Sequence, residues 1–371
     1  MGKPAGQAYD GSMSYIPAHA REGTAMSNHL ITGSGALLNA EGELREPGYA
    51  LRPPFDYSHD RITAPWWRIK DWDYYLVSDG TYAVALTFSD LGYIGLVSAA
   101  VIDLANRSSI TESELVLAPA GRMGVPASSE EGDISWHNRH CRVSFAHVAG
   151  GRRLSFWMDH FGGHDGFEAE LLLDKEPQDS MVIVTPWAED PTAFYYNRKI
   201  VGMRARGGFR RGELVHEFDG SEALGLLDWG RGVWTYDNTW FWSAAMGHQA
   251  GKVLGFNLGY GFGDTSAASE NMLFVDGVAH KLGRLDFGIP QDADGTYRYL
   301  EPWHFTDDEG RVDLTFTPLV DRNDLIDVAH LVMSDQHQVF GTFSGTVVLD
   351  DGTLLAIDAL DGFAERVHNR Y

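Results

Sequence analysis

Asp-Gly and Glu-Gly dipeptides recur along the chain, each set between two short segments rich in β-branched and aromatic residues. A tight antiparallel hairpin needs a left-handed backbone residue at its tip, and glycine supplies one without steric cost. Asp79-Gly80 separates residues 74–77 from 82–86, Asp276-Gly277 separates 272–275 from 278–280, and Asp351-Gly352 separates 347–349 from 354–357. Glu41-Gly42 and Glu309-Gly310 add two more, the latter leading into residues 312–316, where apolar and polar side chains alternate with period two. Many short strands joined in this way predict a mostly β fold of barrels or sandwiches, not alternating β and α units. Only residues 321–334 and 359–368 carry patterns that admit a short helix.

At 371 residues the chain suits two such units packed together. A Gly-rich polar stretch at 202–222 places the division between a first half, 27–210, and a second, 211–371. Residues 119–133 form the clearest internal loop. Residues 1–26 lack the apolar core of a signal peptide and read as a disordered leader or extension.

Aromatic residues make up 12% of the chain, with 11 Trp, so large rings are expected to line surfaces as well as fill the core. A formal charge of -23 repels phosphate backbones and anionic lipid, which argues against a nucleic-acid partner. Cys141 is the sole cysteine, so neither an intrachain disulfide nor a cysteine metal cage can form, and a reducing, cytoplasmic setting fits. No run approaches the roughly 18 apolar residues of a membrane-spanning helix.

The sequence holds no P-loop, no His-Glu-x-x-His and no Gly-x-Ser-x-Gly, so no nucleotide, metal or other cofactor is expected. Gly259-Tyr-Gly261-Phe-Gly263 lacks the following helix of a dinucleotide fingerprint and reads as a glycine-rich strand that another backbone approaches. His137-x-x-His140-Cys141 and His160-x-x-x-His164 offer metal-ligating atoms, but on strands such spacings scatter side chains over both faces.

The densest run of indoles lies between 226 and 247 and begins with Asp228 and Arg231. If residues from 238 onward form a strand, Trp240 and Trp242 share a face, and Asp228 or Arg231 can lie beside it. An acid walled by rings is desolvated, which raises its pKa toward that of a proton donor at neutral pH. In this reading Asp228 is the general acid, Arg231 orients it, and Trp229, Trp234, Tyr236, Trp240 and Trp242 shape the pocket for a small apolar or aromatic molecule. The alternative is an Asp228–Arg231 salt bridge that ties down a loop, with the Trp residues simply core. Glu189 beside Trp187, Tyr196 with Asn197, Glu270 and His337 are further candidates. Acid pairs drawn from Glu189, Asp190, Asp228 and Glu270 would suit glycoside chemistry across a Trp-floored cleft. A dry barrel without a desolvated acid would instead suit lipid or pigment binding.

The run Leu227-Asp228-Trp229-Gly230-Arg231-Gly232-Val233-Trp234 is followed by Trp240 to Gly247, 255–259, 270–277, 311–318 and 338–345. This ordered series resembles the bacterial domain-of-unknown-function 2804 family over residues 27–371. More distantly, the Leu227-Asp228-Trp229-Gly230 region is similar to the lipocalin-like group of carotenoid 1,2-hydratases, AttH and Diels-Alderases. The resemblance implies two lipocalin-like antiparallel β-barrel halves and a hydratase, lyase or cyclase type of activity. In that group Met-Asp-His precedes Trp-Gly and a Trp-Asp-Trp-Phe strand. Here Asp228 matches the Asp, Trp229 stands in place of the His, and Trp240-Phe241-Trp242 matches the later strand in part.

Overall fold

The computed structural model describes residues 28–163, 165–328 and 332–370, so the leader expected at 1–26 and His164 lie outside the described residues. The chain begins with three short strands, β1 (Gly35–Ala36), β2 (Gly48–Ala50) and β3 (Phe55–Asp56). It continues through β4 (Ile69–Ser78), β5 (Tyr82–Asp90), β6 (Ile94–Asp103), β7 (Ser108–Leu117), β8 (Ile134–His137), β9 (Cys141–Val148) and β10 (Gly151–Phe161). Then follow β11 (Asp165–Asp174), β12 (Met181–Trp187), β13 (Asp190–Arg211), β14 (Leu214–Phe218) and β15 (Leu224–Val233). A first sheet of 13 strands runs in the order β7-β6-β5-β4-β15-β13-β11-β10-β9-β8, with β12 and β14 also paired to β13 and β2 to β12. It curls so far that Asn138, at the β8–β9 turn, donates to Glu114 of β7 at 2.6 Å.

The second sheet has nine strands: β16 (Asp237–Gln249), β17 (Lys252–Tyr260), β18 (Met272–Val275), β19 (Val278–Lys281), β20 (Leu285–Asp286), β21 (Trp303–Asp307), β22 (Val312–Val328), β23 (Val332–Val348) and β24 (Leu354–Arg370). Its order is β19-β18-β17-β16-β24-β23-β22-β21-β20. The protein is thus two packed, barrel-like antiparallel halves, as the turn pattern predicted. Four of the five Asp-Gly and Glu-Gly tips fall between β4 and β5, β18 and β19, β21 and β22, and β23 and β24, whereas Glu41-Gly42 turns the chain between Leu38 and Leu44, which form an isolated bridge. At the β18–β19 tip Asp276 and Gly277 both take positive φ, 49° and 79°, the pairing that matches strand twist.

No α-helix occurs among the described residues, and no helix there is long and apolar enough to cross a membrane. Where helices were admitted, at 321–334 and 359–368, the described residues lie in β22, β23 and β24. The reason is burial on both sides: β24 turns Phe363 to the core of the first half and Leu360 and Ala364 to the core of the second, which erases the period-two signature. The division expected at 210/211 coincides with the end of β13. By hydrogen bonding, β14 and β15 still belong to the first sheet, and the second begins at Asp237.

β15 places the site. All ten of its residues are buried, and it is flanked by β13 and β4. One face carries Leu226, Asp228 and Gly230, level with Val201, Lys199 and Asn197 of β13 and with Leu76, Tyr74 and Trp72 of β4. This face meets Trp240 and Trp242 of β16 and Glu365 of β24 from the second sheet. The seam between the sheets is closely fitted, because the Trp72 indole lies across Gly230 where a Cβ would stand inside the ring. Gly230→Ala is therefore expected to cost about 1–3 kcal/mol in urea unfolding through overpacking. Adding Trp72→Leu to that variant is expected to restore part of the loss; an unchanged unfolding midpoint in Gly230→Ala would show that the indole is not seated there.

Candidate active site

The residues at the seam converge on one buried ammonium. Lys199 Nζ lies 3.1 Å from Asp228 Oδ1 and 3.7 Å above the Trp242 ring, with the side chain only 2% exposed. Asp228 Oδ1 also accepts from Asn197 Nδ2 at 2.6 Å, and Oδ2 accepts from Trp72 Nε1 at 3.2 Å. A carboxylate engaged by three donors acts as the anchor of the lysine, and the stacked indole adds a cation–π contact.

Two further carboxyls face this pair. Glu365 accepts from Trp240 Nε1 at 3.2 Å and from Gln338 Nε2 at 3.0 Å. Burial pushes its carboxyl up to about 7, an effect that the Trp240 bond and the Lys199 charge oppose and Asp228 reinforces. Glu270 precedes β18 and packs over Gly259, where a Cβ would collide with Oε1. Burial pushes Glu270 up to about 7 as well, against the pull of Lys199 and with the push of Asp228. Neither Glu270 oxygen meets hydrogen-bond geometry with a protein donor, and the nearby Asn257 amide donates instead to the Glu270 backbone carbonyl at 2.9 Å. Lys281 braces this segment by donating to Ser269 Oγ and to the carbonyls of Asn271 and Leu282, at 2.5, 3.0 and 2.8 Å.

Around the four charged groups runs a chain of rings. Trp72 stacks on Tyr195 at 6.1 Å, Tyr195 on Phe262 at 4.8 Å, and Phe262 meets Trp240 at 5.8 Å; Trp240, Trp234 and Trp187 then follow at 5.1 and 5.2 Å. The Tyr195 hydroxyl and Trp234 Nε1 are buried with no protein partner, as is Asn197 Oδ1. Buried polar atoms are nearly always paired in folded proteins, so these unpaired atoms single out the cluster as the candidate site.

Of the residues singled out in the sequence, Asp228, Asn197, Glu270, Trp187, Trp234, Trp240 and Trp242 come together here. Arg231 does not: three positions from Asp228 on a strand, it points to the opposite face. There it donates to Asp73 at 2.8 Å and to the Trp72 and Pro126 carbonyls at 2.6 and 2.7 Å. Trp229 lies on that inner face too, its ring 4.3 Å from the Arg231 guanidinium, and so does Tyr196, which donates to the Phe55 carbonyl. The expected Asp228–Arg231 contact is thus replaced by Asp228–Lys199 and Arg231–Asp73. Glu189 sits in an exposed turn, Tyr236 is 54% exposed, and His337 bonds Asp321 at 2.7 Å beneath Tyr299. His140 is held by Asp159 at 2.7 Å, and among the described residues no cluster of ligating side chains could hold a metal ion.

Sequence reasoning missed Lys199, Glu365, Trp72 and Phe262. The signal for Lys199 is a lysine set at period two with Tyr195 and Asn197; Glu365 stands likewise between Phe363 and Val367.

A family model described as Domain of unknown function (DUF2804) matches residues 28–371. The chain belongs to this family. Among solved structures, this DUF2804 protein is similar to a putative AttH from Nitrosomonas europaea, with a TM-score of 0.52 and 14% identity, over 83% of this chain and 93% of that one. At such identity the likeness establishes a shared fold. Kievitone hydratase from Nectria haematococca aligns with a TM-score of 0.44 and 12% identity, over 81% of this chain and 88% of that one. No curated protein matches the chain.

The two raised glutamates give the DUF2804 protein a pH signature. Each holds its proton to about 7 when folded and to about 4.5 when unfolded, so the folded state binds more protons in that window and stability falls as pH rises through it. Glu270→Gln or Glu365→Gln is expected to flatten this fall by roughly 1 kcal/mol per pH unit, read from urea unfolding between pH 5 and 7. Parallel wild-type and variant profiles would overturn the assignment.

Proposed function

We propose that this protein is a cofactor-independent acid–base enzyme of the hydratase, lyase or cyclase type, acting on a small apolar or aromatic molecule at the seam. The observation that carries this reading is the gathering of Asp228, Glu270 and Glu365 about the single buried Lys199 among stacked rings, with both Glu270 oxygens unengaged.

The chemistry follows from the charges. At neutral pH a carboxyl raised to about 7 is divided between its acid and its base, so it both donates and accepts protons at low cost. Glu270 is the proton donor in this reading, because no protein hydrogen bond holds its oxygens. It would protonate a double bond or a leaving hydroxyl, and the resulting cationic carbon would face the rings of Trp240, Trp234 and Phe262. Glu365, held by Trp240 and Gln338, would act as base toward water or a neighbouring C–H. Asp228 serves as the positioning residue: with Asn197 and Trp72 it fixes Lys199, whose remaining N–H groups would donate to a substrate oxygen and orient it. Tyr195 and Trp234 supply two hydrogen-bond donors to orient a polar substituent. The enclosure of these acids between the sheets suits this chemistry better than glycoside cleavage across an open cleft, and desolvated acids are not what a simple lipid or pigment carrier requires.

The test is a panel of unsaturated and hydroxylated terpenoid, aromatic and fatty compounds incubated with the full chain in deuterium oxide, with mass spectrometry reading deuterium incorporation or water addition. For the compound turned over, Glu270→Gln is expected to lower kcat by about 10²–10⁴-fold with folding intact. Lys199→Met is expected to lower kcat/KM. Turnover unaffected by Glu270→Gln would remove the reading.

A further inference from the structure

Four side chains stand in one row across the second sheet. The register sets Arg322 of β22 opposite Gln338 of β23, Gln338 opposite Glu365 of β24, and Glu365 opposite Trp242 of β16. Directly opposed residues on neighbouring antiparallel strands have Cβ atoms about 4.5–5.5 Å apart on one face, so each reaches the next. The row runs from the rim of the seam, where Arg322 Nε donates to Thr111 Oγ1 of β7 at 2.9 Å, to the indole that covers Lys199.

Hydrogen-bond polarity along this row has one solution. Arg322 can only donate, and its Nη1 lies 2.7 Å from one end of the Gln338 amide, which must therefore be the oxygen. The amide nitrogen is left to face Glu365, at 3.0 Å. On its other oxygen Glu365 accepts from Trp240 Nε1, also a donor only, at 3.2 Å. Both protein hydrogen bonds of Glu365 thus come from donors, and donors to a carboxyl favour its ionised form. Turned the other way, the Gln338 oxygen would accept from a protonated Glu365 and favour the acid. Gln338 is only 2% exposed, so solvent does not compete for the choice.

The geometry points to Arg322 as a second positioning residue, acting through Gln338: it fixes the direction of the amide and so makes Glu365, not Glu270, the base of the site. Resting on the acid–base reading above, this divides the roles of the two glutamates by donor count, two on Glu365 against none on Glu270 among the described residues. The other titratable groups around Glu365 either act on both glutamates or stay neutral. Lys199 of β13 favours the ionised form and Asp228 of β15 opposes it, at Glu270 as at Glu365. Tyr74 of β4 and Tyr195 of β13 are phenols that burial pushes far above neutral pH. Lys281 also pulls on Glu270, but its Nζ is engaged by Ser269 and by the carbonyls of Asn271 and Leu282.

Carbon-13 NMR of the full chain, labelled at the glutamate side-chain carboxyl, tests this, with Glu365→Gln and Glu270→Gln locating the two signals. Arg322→Met is expected to raise the Glu365 midpoint by about one pH unit, a tenfold gain in proton affinity on loss of a charge-assisted hydrogen bond. Gln338→Met is expected to raise it by a similar amount. Arg322→Lys, which can still donate to the Gln338 oxygen, is expected to keep the wild-type midpoint, as is Thr111→Val, which removes only the contact at the rim. With Gln338→Met in place, Arg322→Met is expected to add nothing, because the relay is already cut. A Glu365 midpoint unmoved by Arg322→Met, or moved equally with and without Gln338, would overturn the relay; in the second case the arginine acts by its charge alone. The readout needs no substrate, so a negative Glu270→Gln turnover test leaves it standing, and the failure of the relay and of the acid–base reading are told apart.

Discussion

The arrangement depends on one ion pair buried between two sheets. Lys199 and Asp228 stand side by side on adjacent strands, and neither could be left alone there, because an isolated charge in so dry a place costs several kcal/mol. Together they are neutral. Glu270 and Glu365 are buried beside this pair, and the pull of Lys199, with Lys281 adding to it at Glu270, does not offset the cost of carrying a negative charge in a medium of low dielectric. Retained protons are the cheaper solution, which is why both carboxyls rise to about 7. The acid capacity of the site is therefore a consequence first of burial and then of the Asp228 charge, which together outweigh the pull of Lys199.

The same strand shows how far the sequence could be read. The turn dipeptides fixed hairpins at their true places because a left-handed glycine is a local requirement, met by local residues. Asp228 and the Trp240–Trp242 pair were legible for a similar reason, since period two alone sets which side chains share a face. The same period was overlooked for Arg231, whose odd spacing from Asp228 sends it to the interior of the first half, where it pairs with Asp73. Lys199 and Glu365 escaped notice because their partners lie far along the chain: the Lys199–Asp228 pair spans β13 and β15, and Glu365 meets Trp240 across 125 residues. Such contacts are decided by strand order, which local pattern does not encode. The helices admitted at 321–334 and 359–368 failed for a different reason: long strands buried on both faces lose the alternation that identifies strands.

Glycine has a second use here, distinct from turning the chain. At Gly230 and Gly259 the missing side chain is replaced by a functional group from a neighbour, the Trp72 indole in one case and the Glu270 carboxyl in the other. Each group is pressed against bare backbone, so its position is set by van der Waals contact as well as by hydrogen bonds. The Gly259-Tyr-Gly261-Phe-Gly263 run belongs to this design, with Gly261 and Gly263 lying against the backbone of Thr239 and Pro186 while Phe262 enters the ring chain.

Neither sheet holds the cluster by itself. The first contributes Lys199, Asp228, Asn197, Trp72 and Tyr195; the second half contributes Glu270, Glu365, Gln338, Trp240 and Trp242. A slip of one residue in the pairing of β15 with β13 or β4 would carry Asp228 to the opposite face and leave Lys199 uncompensated, so the ion pair penalises wrong register as strongly as it favours the right one. Docking of the halves and assembly of the acid site are in this sense one event: the surface that each half must bury to be stable is the surface on which the other half's acids, amides and rings arrive.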